Sequence, residues 1–340
     1  MENFWPLLLE ARTAIAELKG LSMTLPNPLL LISPAVIRES IASSQIENIN
    51  TTIQEVLQSE LLPFDERRPE DKEVLRYREA VLWAFGKKSW PISTRLILGI
   101  HNKLIINGGG AFRKIQNKIE NSQTHEVLYT PPVASDIPAL MSNWEKEINQ
   151  NDGGIDPLLQ CAIFHYQFEA IHPFLDGNGR TGRILMVLYL VKKRLISTPT
   201  LFISGYLDHH RSEYYRLLRS VTENNDWDSY ISFILKAFAE QAHETTDLLW
   251  RIRSLYFETK RKLKKQHAKI YSLELLDALF SSPIVSPVRF GEVLRLHYAT
   301  ASKYLKKLEE DGFLKAKWVG KYHMYFNTEL LKTFSGGQQK

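Results

Sequence analysis

The segment His172-Pro-Phe-Leu-Asp-Gly-Asn-Gly-Arg-Thr-Gly-Arg183 stands between two apolar helical stretches, and that juxtaposition restricts the fold more than any other feature. Upstream, residues 157–171 place Leu159, Ala162, Ile163, Tyr166 and Ala170 at helical spacing, and Pro173 ends the pattern. Downstream, residues 179–193 carry Ile184, Leu185, Val187, Leu188 and Leu190, apolar on most faces. A helix of that kind is buried at the centre of a domain. The polar loop Pro173 to Asn178 is therefore held between core elements, where a reacting group can be fixed in place.

The residue types in this loop suit phosphate chemistry. Gly177 and Gly179 let backbone N–H groups approach an anion, and a helix start adds its partial positive charge. Arg180 and Arg183 share the first turns and can fork onto phosphate oxygens. Asp176 suits Mg²⁺, which takes one or two carboxylates together with phosphates. His172 suits removal of a proton from an attacking hydroxyl. Competing patterns are weaker. Gly177-x-Gly179-x-x-Gly182 has the spacing of a dinucleotide fingerprint, but it follows a helix instead of a strand. Asp176-x-Asn178 begins like a calcium loop, yet Arg180 takes the next ligand position and Val187 the closing one. His165, Glu169 and His172 share a helix face and form a zinc alternative. An ordinary polar loop is the bland reading.

Apolar residues recur at helical spacing up to about residue 280. Residues 33–62 read as one helix begun by Ser33-Pro34, with proline in the first turn. Residues 71–86, 92–106, 136–149, 209–222 and 226–250 read as further helices. Gly108-Gly109-Gly110 interrupts them, and Ala111 to Thr130 reads as extended until Pro131-Pro132 stops it. The run Lys260-Arg261-Lys262-Leu263-Lys264-Lys265 marks a solvated helix face or a linker. Beyond it, Arg289 to His297 and Thr300 to Asp311 read as helix-turn-helix, and short strands flank Gly320. That is the order of a winged helix. The expected division is an N-terminal helical region at 1–90, a catalytic core at 91–250, a linker helix at 251–268 and a winged-helix domain at 269–335.

Charge and cysteine usage narrow the setting. Ser286 to Lys340 holds ten Lys/Arg against five Asp/Glu, which accounts for the whole net charge of +5. A basic terminal domain points to DNA or another polyanion, met by outward Ser302, Lys303 and Lys306 and by Lys317 and Lys321 on the wing. Cys161 is the single cysteine, so no intramolecular disulfide forms and a cytoplasmic location is expected. In an apolar helix with no cation beside it, that thiol reads as inert. The N-terminus has no cationic segment before its short apolar run, and Glu10 and Glu17 follow, so no signal peptide is expected. No uncharged stretch approaches the roughly 18 residues of a membrane span.

His172-Pro-Phe-Leu-Asp-Gly-Asn-Gly-Arg180-x-x-Arg183 resembles in full the signature HPFxDGNGRxxR of the Fic family of AMP-transferring enzymes. The likeness extends to the flanking AIFHYQFEAIHPF, to YTPP before it and to HRSEYYRLL after it, roughly residues 1–250. The resemblance implies a mainly α fold: an all-helical Fic core with a small β-hairpin flap, plus the C-terminal winged helix-turn-helix domain. It implies a protein adenylyltransferase using ATP and Mg²⁺. His172 would be the general base for a Ser, Thr or Tyr hydroxyl of a target protein. Phe174 would anchor the loop, Asp176 would hold Mg²⁺, and Gly177, Asn178 and Gly179 would form the anion nest. Arg180 and Arg183 would meet the phosphates. Tyr214 and Tyr215, with Trp227 a weaker third, would wall the adenine pocket. The stretch Arg113 to Thr130 would be the flap, adding a target segment as a strand, with Ile119 clamping its side chain.

Ser43-Ser-Gln-Ile-Glu47-Asn resembles the family's inhibitory motif [ST]xxxE[GN]. It implies that Glu47 pairs with Arg183 through a two-pronged fork and displaces the γ-phosphate. Within the same resemblance stand self-modification, a homodimer, removal of AMP and transfer of another phosphate-containing group. A DNA-binding regulator acting through the winged helix is the alternative from a different class. No membrane partner is expected.

Overall fold

The computed structural model describes residues 4–24, 29–106, 109–120, 127–150 and 154–335. Helices α1 (Trp5–Met23), α2 (Leu29–Ile46), α3 (Ile53–Glu60), α4 (Pro69–Gly86) and α5 (Thr94–Leu104) come first. A short antiparallel hairpin of β1 (Ile119–Glu120) and β2 (Val127–Tyr129) follows. Then come α6 (Ile137–Asn149), α7 (Pro157–Ile171), α8 (Asn178–Lys192), α9 (Ser204–His209), α10 (Arg211–Asn224) and α11 (Trp227–Gln266). The C-terminal domain comprises α12 (Leu273–Ser281), β3 (Ile284–Val285), α13 (Pro287–Leu294), α14 (Tyr298–Glu310), β4 (Lys315–Val319), β5 (Tyr322–Phe326) and α15 (Thr328–Phe334). Its antiparallel sheet has the order β3-β5-β4. The mainly helical fold with a small hairpin and a C-terminal winged helix-turn-helix is the one expected.

Helix α8 is central because it has almost no polar face. Its residues from Asn178 to Leu190 are buried apart from Gly179, and Leu190 is fully enclosed. Helix α7 lies against it, opened by Pro157 in its first turn and by Asp156, whose carboxylate accepts the Leu158 N–H at 2.8 Å. Cys161 is buried on α7, and burial pushes its thiol far above the ordinary range, so it is inert as expected.

Residues 33–62 are not one helix. Pro34 lies inside α2, α2 ends at Ile46, and Asn48 takes a left-handed conformation with φ 62°. Thr52 then restarts the helix with a capping box, its hydroxyl accepting from Glu55 N–H while the Glu55 carboxylate accepts from Thr52 N–H. The box satisfies N–H groups at the new helix start, which have no carbonyl of a preceding turn to bond. Glu47 consequently stands just beyond the end of α2. The helix expected near 209–222 is α10, and the short α9 precedes it up to His209. The helix expected at 226–250 runs on to Gln266, so the proposed linker is the far end of one 40-residue helix. Among the described residues, extended pairing in the 111–130 region joins Ile119 with Tyr129 and Glu120 with Val127. Gly108 and residues 121–126 lie outside the described residues.

In the C-terminal domain, Leu305 and Leu308 of α14 face inward while Lys303 and Lys306 face outward. Lys321 pairs with Glu66 at 2.8 Å and the Tyr322 hydroxyl donates to the same carboxylate at 3.0 Å, so the wing is turned onto the N-terminal region. A second core forms beside that contact, where Ile37 and Ile41 of α2 meet Val56, Val74, Ile284, Met324 and Phe326. Among the described residues, no helix is long and apolar enough to cross a membrane.

Candidate active site

The loop between α7 and α8 is shaped by its backbone. His172 takes the left-handed conformation (φ 50°, ψ 60°) that ends α7. Gly177 does the same at φ 78° to open α8, and a Cβ there would stand 3.1 Å from Ile105 Cδ1. Asn178 closes the loop from within: its Oδ1 accepts from Phe174 N–H at 2.8 Å and its Nδ2 donates to Phe174 O at 2.9 Å. The Asn178 side chain is thus engaged by the loop itself. Phe174 is fully buried and stacks on His101, ring centroids 3.7 Å apart. His101 accepts from Gly110 N–H on Nδ1, so Nε2 carries the proton and donates to Asp176 O at 2.9 Å. Replacing Asn178 with alanine would strand the buried Phe174 amide and carbonyl, and calorimetry should register a loss of about 2 kcal/mol in stability.

His172 is held in its neutral form. Burial pushes its pKa down to about 4, against the backbone carbonyl of Glu169, which favours the proton. That carbonyl lies 3.3 Å from Nδ1 and takes the Nδ1 proton, which leaves the Nε2 lone pair free. Arg113 fixes the backbone on either side, its Nε donating to His172 O and its N–H to Pro173 O, both at 2.9 Å. Tyr129 of β2 donates to Ala170 O at 2.8 Å and so ties the hairpin to α7.

Both arginines of the α8 start are buried and engaged. Arg180 donates to Glu73 of α4 at 2.9 Å and to both Asp176 oxygens at 3.2 Å. The Asp176 side chain is 70% exposed, a single carboxylate beside the phosphate-binding start of α8. That donor set fits Mg²⁺ shared with substrate phosphates, because such an ion needs few protein ligands. Among the described residues, no group of three His, Cys, Asp or Glu could hold a metal by itself. The zinc alternative fails on geometry: His165 Nε2 is bonded to the Tyr214 hydroxyl at 2.8 Å, and its Nδ1 lies 3.9 Å from Glu169.

Arg183 meets the end of α2. Its Nε donates to Ser43 Oγ at 2.8 Å, and one Nη2 serves both Ser43 O and Glu47 Oε1 at 2.9 Å. The expected pairing with Glu47 is therefore present, but as a single contact instead of a two-pronged fork. Gly179 makes room for it, since a Cβ there would stand 2.8 Å from both Arg183 Nη1 and Glu47 Oε1. Arg211 of α10 holds this end of α2 by donating to Gln45 O at 2.6 Å and to Asn48 Oδ1 at 3.0 Å.

His172, Arg183, Glu47, Tyr129, Tyr215 and Ile119 line one cavity of about 620 Å³. Tyr214 forms its buried wall, whereas Tyr215 is half exposed at its mouth. Trp227 instead packs edge-on against Tyr166, with centroids 4.9 Å apart. A larger groove of about 950 Å³ runs between α3, α4 and the wing, remote from His172 and Arg183. Glu73, His101, Arg113 and Arg211 were not legible beforehand, because each reaches the site through a partner far away in sequence.

The chain is similar to known proteins. Residues 5–86 match the Fic/DOC family N-terminal domain and residues 91–190 match the Fic/DOC family domain. Residues 255–330 match the C-terminal domain described as protein adenylyltransferase SoFic-like. The protein adenylyltransferase Fic of Drosophila ananassae and that of Drosophila melanogaster are each 31% identical over 170 residues, covering 48% of this chain and 31% of theirs. The chain thus spans about a third of the length of these relatives. A crystal structure of a Fic family protein from Desulfovibrio desulfuricans G20 shares the fold over 95% of this chain and 96% of its own, with TM-score 0.58 and 22% identity. Fic-1 from C. elegans shares it over 71% of this chain and 72% of its own, with TM-score 0.54 and 19% identity.

Proposed function

The chain belongs to the Fic/DOC family, and we propose that it transfers AMP from Mg-ATP to a serine, threonine or tyrosine hydroxyl of a protein, restrained by Glu47. The observation that carries this reading is a neutral His172, with Nε2 free, lining the same cavity as Arg183. The target hydroxyl gives its proton to Nε2 as its oxygen attacks the α-phosphorus. The bond from that phosphorus to the bridging oxygen breaks, pyrophosphate leaves, and an AMP ester remains on the target. No covalent enzyme intermediate is needed.

The chain's other residues bind and orient. Backbone N–H groups at Gly177 to Gly179 and the guanidinium groups of Arg180 and Arg183 receive the phosphates. Glu73 positions Arg180, and Asp176 holds the substrate's Mg²⁺, which offsets phosphate charge when bound. Tyr214 and Tyr215 wall the base, and the hairpin offers its edge to a target strand, with Ile119 at the cavity rim. Glu47 takes an Arg183 N–H that a γ-phosphate oxygen requires. The acceptor is a separate protein or this chain itself.

The test gives the Glu47→Gly protein ATP labelled at the α-phosphate or at the γ-phosphate, each with Mg²⁺ and cell lysate as acceptor, and counts only label above that of lysate without the protein. Protein should acquire label from the first only. Label from the γ-phosphate, or none from either, would overturn the proposal.

A further inference from the structure

Helix α2 is gripped from two sides. Ser43, and Glu47 just beyond it, face Arg183. Ile41 and Ser43, two residues apart, point about 160° away from each other around the helix axis. On that far side Ile37 and Ile41 enter a core completed by the C-terminal domain: Ile284 and Met324 are 0% exposed and Phe326 is 3% exposed. Strands β3 and β5 bring these residues together by pairing Ile284 with Phe326. The wing contacts to Glu66 fasten the same sheet to the N-terminal region. The helix that presents Ser43 and Glu47 therefore has the C-terminal sheet as its backing.

We propose that the C-terminal domain is a clamp on the brake, with Ile284, Met324 and Phe326 as positioning residues that keep Ser43 and Glu47 on Arg183. The inference rests on the AMP-transfer reading for its activity readout and on the α2 contacts for its structural one. Close-packed interiors transmit displacement instead of absorbing it. Drawing the sheet away from α2 uncovers Ile37 and Ile41, loosens the helix and lets Glu47 leave Arg183. Whatever the C-terminal domain binds would then set the rate of transfer at the active site.

The experiment uses the full chain and the substitution Met324→Ala, made in the parent and in Glu47→Gly, with Met324→Leu as the volume-conserving control. Transfer from α-labelled ATP should rise at least about fivefold in the parent background. It should stay unchanged in the Glu47→Gly background, because the clamp acts only through the brake. Amide exchange over residues 37–46 should quicken with Met324→Ala and return to parental rates with Met324→Leu. Unchanged transfer together with unchanged exchange would overturn the clamp. So would loss of transfer in both backgrounds, which makes the sheet a general scaffold. If Glu47→Gly itself transfers no label, the AMP-transfer reading fails, and the exchange rates of α2 still decide the clamp.

Discussion

If the proposed AMP transfer holds, removing the imidazole at residue 172 should lower it about a thousandfold, the scale on which a positioned general base contributes. Asparagine is the better replacement, because residue 172 sits at φ 50°, where asparagine is tolerated and alanine adds strain. Circular dichroism should then show an intact fold beside the lost transfer. The parent's pH profile gives an independent check. Burial holds the His172 pKa at about 4, so transfer should persist down to about pH 5 and fall only as the pH approaches 4. An ordinary histidine would lose activity near pH 6.5. The same shift bears on stability with a definite sign. Between about pH 4 and 6.5 the unfolded chain binds the proton that folded His172 refuses, so this contribution rises with pH across that window and is lost as pH falls through it. Transfer that survives His172→Asn undiminished would remove the histidine from the mechanism.

Glu47→Gly should raise transfer by between about tenfold and a hundredfold, the range of a coupling worth a few kcal/mol. The substitution frees the Arg183 Nη2 contact at 2.9 Å while leaving Arg183 on Ser43, so the guanidinium stays in place for a phosphate. Glycine also loosens the backbone beside Asn48, and Glu47→Gln controls for that by keeping the side chain and removing its charge. An intermediate rate for Glu47→Gln, above the parent and below Glu47→Gly, assigns the brake to the carboxylate. Equal rates for all three proteins would show that the Arg183–Glu47 contact does not restrain the reaction.

Much of the reacting loop was legible because its chemistry is local. His172, Asp176, Gly177, Asn178, Gly179, Arg180 and Arg183 lie within one short segment, and backbone rules for a helix end followed by a helix start apply to it directly. The apolar faces of α7 and α8 likewise announced that the segment would be enclosed. The break after Ile46 was also readable, in Thr52-x-x-Glu55, but apolar periodicity through residues 33–62 masked it. The role of the Asn178 side chain was not legible for a different reason. Its partner is the Phe174 backbone, and only the loop's actual turn brings donor and acceptor together.

By itself, then, the sequence determined the enclosed loop between α7 and α8, the helical class and the order helix, helix, strand, strand from α13 to β5, all from short-range backbone preference and hydrophobic spacing. The tertiary structure alone decided that Glu73 would hold Arg180 across 107 residues, that Arg183 would reach Ser43 across 140, and that Lys321 would close on Glu66 across 255. It also decided that the sheet around Met324 would back the helix carrying Ser43. Such contacts join single side chains that no periodic pattern marks, so they exist only once the packing of the whole chain has chosen their neighbours.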